Sequence, residues 1–484
     1  MLSLIVWAPL VGALIVLMLP KEQVKAIQAV SFIAAGVSLA ASIALLWHFD
    51  RSAVGMQFTE QWAWIPSLNV SYYLGLDGLS YPLVLLTTFM SVIALIGSLG
   101  IEKRVKEYFF WFLVLEVGML GVFMALDLVL FYVFWELTLV PMYFLIGVWG
   151  GPRKEFAAIK FFLYTLTGSV FMLLSILALY FRSVPHTFNM LELMSGHQQA
   201  LFDPRFQILV FLGLYFGMSI KIPAFPFHTW LPLAHVEAPT PISVILAAVL
   251  LKMGVYGLLR IAYGITPSGF HWFLPALVVI AVINIVYGAL CALAQTDMKK
   301  MVAYSSVNHM GYCLLGIAGM TAAGFSGAVL QMVNHGIISG ALFLLVGVIY
   351  DRAHTRDLSA FGGLAVRVPV YAGIMSLACF ASLGLPGLSG FISEFMCFLG
   401  AFSAWKIATA VSVLGVIATA AFYLRAMQKV FLGPFNTKWE GLEDMTWREH
   451  ASILPLVAIM IWFGVNPKWP LDLMNATVAH LLGK

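Results

Sequence analysis

The sequence predicts an all-α, polytopic membrane protein with about fourteen transmembrane helices. Hydrophobic residues make up 62% of the 484 residues and charged residues only 10%, whereas about 25% of the residues of a soluble domain are charged. Apolar runs long enough to cross about 30 Å of hydrocarbon recur along the chain. The composition therefore excludes a soluble globular protein, and a net charge of +4 gives no indication of nucleic-acid binding.

Fourteen apolar segments are long enough to span a membrane, with bounds uncertain by several residues. They lie at about 2–19, 28–48, 79–100, 108–126, 128–149, 156–182, 206–234, 240–262, 270–294, 299–319, 323–350, 369–402, 405–432 and 449–465. No Lys or Arg precedes the first segment, and no small-residue cleavage site follows it. We therefore expect a retained helix there and not a secretory signal.

Two of these segments are interrupted by proline and glycine near their centres. The seventh contains "SIKIPAFPFHTWLP" and the twelfth contains "SLGLPGLSGFISEF". Irregular backbone inside hydrocarbon is tolerated only within protein or beside a water-filled cavity. The sequence therefore predicts broken helices 7 and 12 that face the interior of the bundle.

The two interruptions indicate an internal repeat, because Pro223 and Pro386 are 163 residues apart. Five segments, the fourth to the eighth, would recur as the ninth to the thirteenth, and an odd number inverts the second copy in the membrane. Paired interrupted helices in inverted repeats mark the ion path of secondary transporters. The predicted units are an N-terminal three-helix segment (1–106), a first five-helix repeat (107–265), an inverted second five-helix repeat (266–432) and a C-terminal span (433–484).

The distribution of lysine and arginine predicts the orientation. With fourteen spans, seventeen of these cations fall on one side of the membrane and seven on the other, and Lys221 and Lys252 lie within it. The side richer in Lys and Arg is the cytoplasmic one. Both termini are therefore expected to be periplasmic.

Glu136 lies in the middle of the fifth apolar segment, in "FYVFWELTLVP". A carboxylate at that depth costs on the order of 3 kcal/mol on insertion scales. Pro141 has no N–H, so the carbonyl of Leu137 beside the carboxylate loses its helical partner. Some polar group must therefore stabilise both the Glu136 carboxylate and the free carbonyl of Leu137.

Further ionisable residues lie near the middle of other segments. The series consists of Glu116, Glu136, Lys221, Lys252, His309, His335 and Glu394. A structural ion pair could explain Glu136 with Lys221, but buried ion pairs barely offset their desolvation, and seven groups at similar depth exceed that explanation. Ionisable residues inside a membrane are candidates for a proton path. We therefore predict a buried proton relay.

The residue types suit this role. Burial disfavours the charged forms of Glu136 and Lys221 and pairing favours them, so a movement that makes or breaks the pair changes the proton affinity of both. His309 and His335 are of the type that titrates near neutrality, although satisfied core histidines remain the alternative. His228 is seven residues, or two helical turns, beyond Lys221 and could face the same cavity.

The remaining signals are weaker. Glu116 is equally well explained as a polar packing residue, and His235 is expected at the cytoplasmic rim. No metal-binding cluster and no phosphate-binding glycine loop occur. The four cysteines have no Cys-x-x-Cys spacing and are expected to be small buried hydrophobic residues; they are Cys291, Cys313, Cys379 and Cys397.

Several long motifs carry a resemblance to a known family. They are "FYVFWELTLVPMYFLIGVWGG", "IKIPAFPFHTWLPLAHVEAPTPISVILAAVLLKMGVYGLLR", "YSSVNHMGY", "QMVNHGIISGALFLLVGVIYDRAHTRDL" and "GLPGLSGFISEFMCFLGAF". The chain resembles, over nearly its whole length, the proton-pumping membrane subunits of NADH:quinone oxidoreductase (respiratory complex I) and their Mrp antiporter relatives.

The resemblance implies roles for individual positions. Glu136 matches the family's helix-five glutamate, Lys221 its partner lysine and Lys252 the central lysine. Glu394 matches the terminal group that leads outward, where several sister subunits have lysine. His309 and His335 match the histidines of the family's central hydrophilic axis, and His228 matches the histidine on the broken helix. Glu116 matches no family position.

The resemblance also implies the setting. NADH oxidation and quinone reduction would occur in partner subunits that carry the flavin, the iron–sulfur clusters and the quinone, and this chain would hold no cofactor. Its expected partners are L-like and N-like antiporter subunits, small membrane subunits and the lipid bilayer of a bacterial inner membrane.

Three alternatives remain open from the sequence. An Mrp-type Na⁺/H⁺ antiporter subunit and a membrane-bound hydrogenase subunit would share the same fold. A haem-carrying electron-transfer subunit would use His309 and His335 as axial ligands on adjacent helices, although the nearby lysines argue against it.

Overall fold

The computed structural model describes residues 1–483, which are mostly helical; Lys484, one of the seven outer-side cations, lies outside the described residues. The first helices are α1 Leu2–Met18, α2 Val24–Ala44, α3 Tyr81–Gly97, α4 Val105–Met124, α5 Leu128–Leu137, α6 Leu139–Trp149, α7 Lys154–Arg182, α8 Met190–Leu193, α9 Gly196–Leu201, α10 Pro204–Lys221, α11 Trp230–Glu237, α12 Thr240–Ile245 and α13 Leu251–Gly257. The later helices are α14 Pro267–Leu293, α15 Met298–Ala318, α16 Ala322–Ala353, α17 Pro369–Ser382, α18 Ser389–Phe402, α19 Lys406–Phe431, α20 Trp447–Val465 and α21 Lys468–Leu481.

Ten helical segments of the described chain are long and apolar enough to cross a membrane. The other predicted segments correspond to the 17-residue α1, to the interrupted pairs α10–α11 and α17–α18, and to α15, which is rich in polar residues. Helix α16 and the segment Thr240–Tyr263 are wholly enclosed by other helices over their apolar windows. These two segments form the centre of the bundle.

The all-α prediction misses a β-hairpin between α2 and α3. Strands β1 (Gln57–Ile65) and β2 (Val70–Leu76) pair antiparallel, with Trp62 opposite Tyr72. Aromatic residues favour strands, and Asn69 turns the chain with a left-handed φ of 57°. No element is predicted for the connection between α2 and α3, because its hydrophobic pattern is short compared with the long apolar runs.

The hairpin fixes one face of the bundle, here called the hairpin face. Glu60 of β1 accepts hydrogen bonds from the backbone N–H groups of Leu2 (2.9 Å) and Ser3 (3.1 Å) at the start of α1. A carboxylate at a helix N-terminus is stabilising because it meets the positive end of the helix dipole. The amphipathic α21 packs on the same face, where Thr477 accepts from the backbone N–H of Gly78 at 2.8 Å.

Both predicted helix interruptions are present, and each is supported by an asparagine from a neighbouring helix. Asn284 of α14 accepts from the backbone N–H of Phe225 at 2.8 Å and donates to the carbonyl of Pro223 at 3.3 Å. Asn334 of α16 donates to the carbonyl of Ser389 at 2.7 Å, at the start of α18. Asn284 therefore satisfies backbone groups that the first break releases, as burial in a membrane requires, and Asn334 ties the start of α18 to α16.

Asp127 should be a sensitive position of the fold. Its carboxylate caps α5 through the N–H groups of Val129 and Leu130 (2.9 and 3.2 Å) and also accepts from Ser71 of the hairpin at 3.0 Å. We expect Asp127→Ala to lower the free energy of unfolding by about 2–3 kcal/mol, about 1 for the cap and the rest for the unsatisfied N–H of Ser71.

Asp203 provides the matched control, because it caps α10 through Arg205 and Phe206 and is solvent-exposed. Asp203→Ala should lose about 1 kcal/mol. Thermal unfolding of the purified variants in detergent measures both, and equal losses would contradict a tie between α5 and the hairpin.

Candidate functional site

Lys252 lies at the centre of the bundle, between two π-helical turns, Leu246–Leu250 and Leu258–Tyr263. Such turns often mark functional positions in helices. The Lys252 side chain is fully buried. Its Nζ donates to the carbonyl of Ala247 and lies 2.7 Å from Nδ1 of His335 on α16. The predicted central lysine and one predicted histidine are thus in direct contact.

His335 and His309 lie on opposite sides of a small enclosed cavity. Their ring centroids are 5.4 Å apart. The cavity has a volume of about 10 Å³ and is lined by both rings and by Ser382 and Glu394, so it has room for about one water molecule. Nε2 of His335 is buried without a hydrogen-bond partner among the described residues and belongs to this polar space.

His309 joins the cavity to Glu394. Nε2 of His309 lies 3.0 Å from the hydroxyl of Ser382, and Nδ1 lies 3.0 Å from Oε1 of Glu394. The hydroxyl of Ser382 also lies 2.7 Å from that of Tyr423. Four predicted relay residues are therefore brought together: Lys252, His335, His309 and Glu394.

The second interruption places Glu394 beside irregular backbone. Glu394 is the sixth residue of α18, and Oε2 lies 3.1 Å from the position that a Cβ of Gly384 would occupy. Gly384 has a φ of +81°, a conformation that residues with a Cβ rarely adopt. The loop of the broken helix thus passes directly against the carboxylate.

Lys221 occupies a separate buried pocket next to α5. Its Nζ donates to Thr138 Oγ1 at 3.2 Å and lies 5.3 Å from the ring centroid of Trp135 and 5.8 Å from that of Phe161. A hydroxyl and the faces of two aromatic rings therefore stabilise the ammonium group.

The predicted contact between Glu136 and Lys221 is not formed. No ion pair within 4.0 Å joins them among residues 1–483, and Oε1 of Glu136 is buried without a hydrogen-bond partner. The helix is interrupted between α5 and α6, and Thr138 at the break occupies the position facing Lys221. Trp135 and Thr138, three residues apart, share the helix face that contacts the lysine, while Glu136 is close enough for its charge to act on Lys221 without forming an ion pair.

Glu116 lies apart from the four relay residues around the cavity and from the pocket of Lys221. It is fully buried on α4, and neither carboxylate oxygen has a hydrogen-bond partner within residues 1–483. Its polar neighbour is Ser91 of α3, whose hydroxyl is also unpartnered in that range. The structure does not connect Glu116 to the relay residues.

His228 lies in the irregular segment between α10 and α11. It is buried against Phe225 and Tyr287, with ring centroids 5.9 and 5.4 Å away. The chain between α10 and α11 is not helical, so the spacing of two helical turns does not apply. That spacing therefore gives no support to a cavity shared with Lys221, which stays a prediction.

His235 was expected at the rim and is instead fully buried. Its ring stacks on Phe343 at 4.4 Å between centroids. The ring is also close enough to Lys252 and Lys299 for their charges to act on it. Lys299 is itself buried and donates to the carbonyl of Ala238 at 2.6 Å. One signal in the sequence is the pair Pro239 and Pro241, which cannot continue α11.

A polar vestibule opens on the face opposite the hairpin. This cavity of about 490 Å³ includes charged side chains in its walls, among them Glu237, Lys299, Asp351, Arg356 and Glu449. Lys299 lines the vestibule and also lies near His235.

Comparison with known proteins places the chain in a family. A family model described as NADH:quinone oxidoreductase/Mrp antiporter, TM, matches residues 125–420. NADH-quinone oxidoreductase subunit M of Rhodobacter capsulatus is 44% identical and covers 100% of this chain and 96% of the relative. NADH-ubiquinone oxidoreductase chain 4 of Marchantia polymorpha is 39% identical, covering 99% of this chain and 97% of the relative.

Two solved structures have the same fold. A chain of respiratory complex I from Thermus thermophilus superposes with a TM-score of 0.90, 33% identity and complete coverage of both chains. A chain of the Mrp complex from Dietzia sp. DQ12-45-1b superposes with a TM-score of 0.89 over 99% of this chain and 97% of that chain, at 23% identity. This chain therefore belongs to the NADH:quinone oxidoreductase/Mrp antiporter family of membrane subunits.

Proposed function

We propose that this chain is the antiporter-like, proton-translocating subunit of the M type in a bacterial NADH:quinone oxidoreductase. As a component of that translocase it couples quinone reduction elsewhere in the complex to proton transport. The observation that carries the proposal is the buried polar path Lys252–His335–His309–Glu394 inside an otherwise apolar bundle. Full-length similarity to subunit M relatives supports the setting.

The path allows stepwise proton transfer. A proton on Lys252 Nζ passes to Nδ1 of His335 along the 2.7 Å contact, and His335 releases a proton from Nε2 into the cavity. The hydroxyl of Ser382 relays it to Nε2 of His309 at 3.0 Å. His309 then gives up the proton on Nδ1 to Oε1 of Glu394 at 3.0 Å. Each imidazole gains a proton on one nitrogen and loses one from the other, as a proton shuttle does.

Lys221 and Glu136 provide the coupling element. In this structure Lys221 donates to Thr138, and Glu136 forms no ion pair within residues 1–483. A shift of the broken helix that brings Lys221 onto Glu136 would favour both charged forms and so change the proton affinity of both groups. Lys252 would then load or release its proton according to whether that pair is closed. His228 and Glu116 have secondary roles in this scheme.

The structure supports an inverted repeat beyond the two helix breaks. Asp127 forms an isolated antiparallel bridge with Asn189, and Asp297 forms the same bridge with Asp357. Asp127 contacts the hairpin through Ser71, whereas Asp297 pairs with Arg356 of the vestibule on the opposite face. Matched bridges on opposite faces are what inversion produces.

These matches favour the sequence-based architecture. It consists of fourteen spans, with units at 1–106, 107–265, 266–432 and 433–484, and inverted repeats in the two middle units. The hairpin face is the periplasmic one, so both termini are periplasmic and the vestibule opens to the cytoplasm.

The partners follow from the setting. L-like and N-like antiporter subunits and small membrane subunits would surround this chain in the inner membrane, and the flavin, iron–sulfur clusters and quinone would be bound by other subunits. The Mrp-type and hydrogenase-type alternatives share the fold, and a flavin and iron–sulfur arm co-purifying with the chain would decide for complex I. A haem between His309 and His335 is disfavoured, because the cavity of about 10 Å³ between them cannot hold a porphyrin.

Removing one relay group tests transport. We expect Lys252→Ala and Glu136→Gln to lower proton pumping at least tenfold in vesicles containing the assembled complex, and to lower quinone reduction with it where the two are tightly coupled. Lys438→Ala, an exposed lysine on a connecting segment, is the matched control and should pump normally. Full pumping by both relay variants, with normal assembly, would make these residues structural.

Glu394 distinguishes a proton carrier from a helix cap. Because the carboxylate accepts from His309, we expect Glu394→Gln to abolish pumping, whereas Glu394→Lys should retain part of it, since lysine also carries a proton. A residue that only favours the start of α18 through the helix dipole would give the reverse pattern. Proton uptake by reconstituted vesicles, with assembly measured separately, separates the two.

Cysteine labelling tests the orientation. Ser52→Cys lies on the hairpin face and Lys438→Cys on the opposite side, and three of the native cysteines are buried. A membrane-impermeant maleimide added to intact spheroplasts should label the first variant and reach the second only after permeabilisation. The opposite result would invert the topology and place both termini in the cytoplasm.

A further inference from the structure

A groove on the outside of the bundle is lined only by aliphatic, aromatic and proline side chains. This apolar groove has a volume of about 240 Å³ and lies between α2 and α3 on one side and α16, α20 and α21 on the other. Leu39 and Phe89 form part of one wall, and Ile459 and Trp469 form part of the other. A groove without polar groups in a membrane-spanning chain suits an acyl chain.

The groove runs inward from the hairpin face. Its mouth is at that face, where Trp469 and Pro470 begin α21. On α16 its lining residues are Val333 and Ile337, eleven and fifteen residues from Ala322, or about 16 and 22 Å at 1.5 Å per residue. One leaflet contributes about 15 Å of hydrocarbon, so the groove is deep enough for an acyl chain of that leaflet.

Two cations stand at the mouth. The guanidinium of Arg51 lies 5.9 Å from the ring centroid of Trp469, and Lys468 precedes that tryptophan. Both are exposed, and neither forms an ion pair within the described chain. Two carboxylates lie nearby. Asp50 accepts hydrogen bonds from the N–H and the hydroxyl of Ser52, and Asp472 lies one turn further along α21.

We propose that the apolar groove binds one acyl chain of an anionic phospholipid from the leaflet on the hairpin face, with its phosphate held by Arg51 and Lys468. Tryptophans at the mouth match the aromatic belt at membrane interfaces, and Trp47, which is 77% exposed, adds to it. The charge of the cations and the apolar wall together select a lipid with a negative headgroup.

The groove lies on the far side of α16 from the relay. Val333 and Ile337 of the groove are each two residues from His335, on the opposite face of the helix, and Leu86 of the groove contacts Gly336. The backbone of α16 therefore separates a bound acyl chain from the relay, and the binding site stands on the groove alone.

Photo-crosslinking tests the site in the assembled complex. Vesicles of phosphatidylcholine would contain a trace of phosphatidylglycerol with a diazirine on its acyl chain, and labelled peptides would be identified by mass spectrometry. We expect labelling of residues 39–46 and 459–473, reduced at least fivefold in Arg51→Gln/Lys468→Gln and in Leu85→Trp, which fills the groove. Lys406→Gln, another exposed cation, is the control and should label normally.

Other outcomes overturn the proposal. Equal labelling by a diazirine phosphatidylcholine would remove the headgroup selection. Labelling of the isolated chain but not of the complex would show that another subunit covers the groove.

Discussion

The hydrogen bond between Lys252 and His335 is the contact around which the centre of the bundle is organised. A lysine without a polar partner is costly in hydrocarbon, so a partner must come from the next helix. His335 supplies it at 2.7 Å, and this brings α16 against the segment of α12 and α13. Both elements are enclosed by other helices, so the contact between Lys252 and His335 lies at the centre of the bundle.

The need of buried polar groups for partners also explains how the two broken helices are stabilised. Each break releases backbone groups that hydrocarbon cannot satisfy, and an asparagine from another helix contacts the backbone at each one. Asn284 satisfies groups of the first break, and Asn334 ties down the start of α18. Neighbouring helices therefore hold both breaks in place. Lys221 ends the first half-helix and Glu394 follows the second break, so the ionisable groups lie where the backbone is already irregular.

Much of the site could be predicted from the sequence, because an ionisable residue in a long apolar run has few explanations. Lys252, His309, His335 and Glu394 stand out in this way. What failed depended on assumed helical geometry. His228 was placed by counting turns through a segment that is not helical, and the partner of Lys221 was chosen by charge, although the break after Leu137 puts Thr138 in front of it. The hairpin was missed because its pattern is local, and its roles, capping α1 through Glu60 and contacting Asp127 at the start of α5, are tertiary.

The buried polar groups fall into two classes, and the difference bears on coupling. Lys252, His309 and Glu394 have partners, whereas Glu136, Glu116, His235 and Nε2 of His335 include buried atoms without partners in the described chain. An unsatisfied buried polar atom carries a desolvation cost of about 1–3 kcal/mol, which a second conformation can relieve. These groups lie on α4, α5, α11 and α16, so the cost is present within the relay, at His335, as well as outside it. A second conformation that supplies partners to these atoms would therefore change the relay itself.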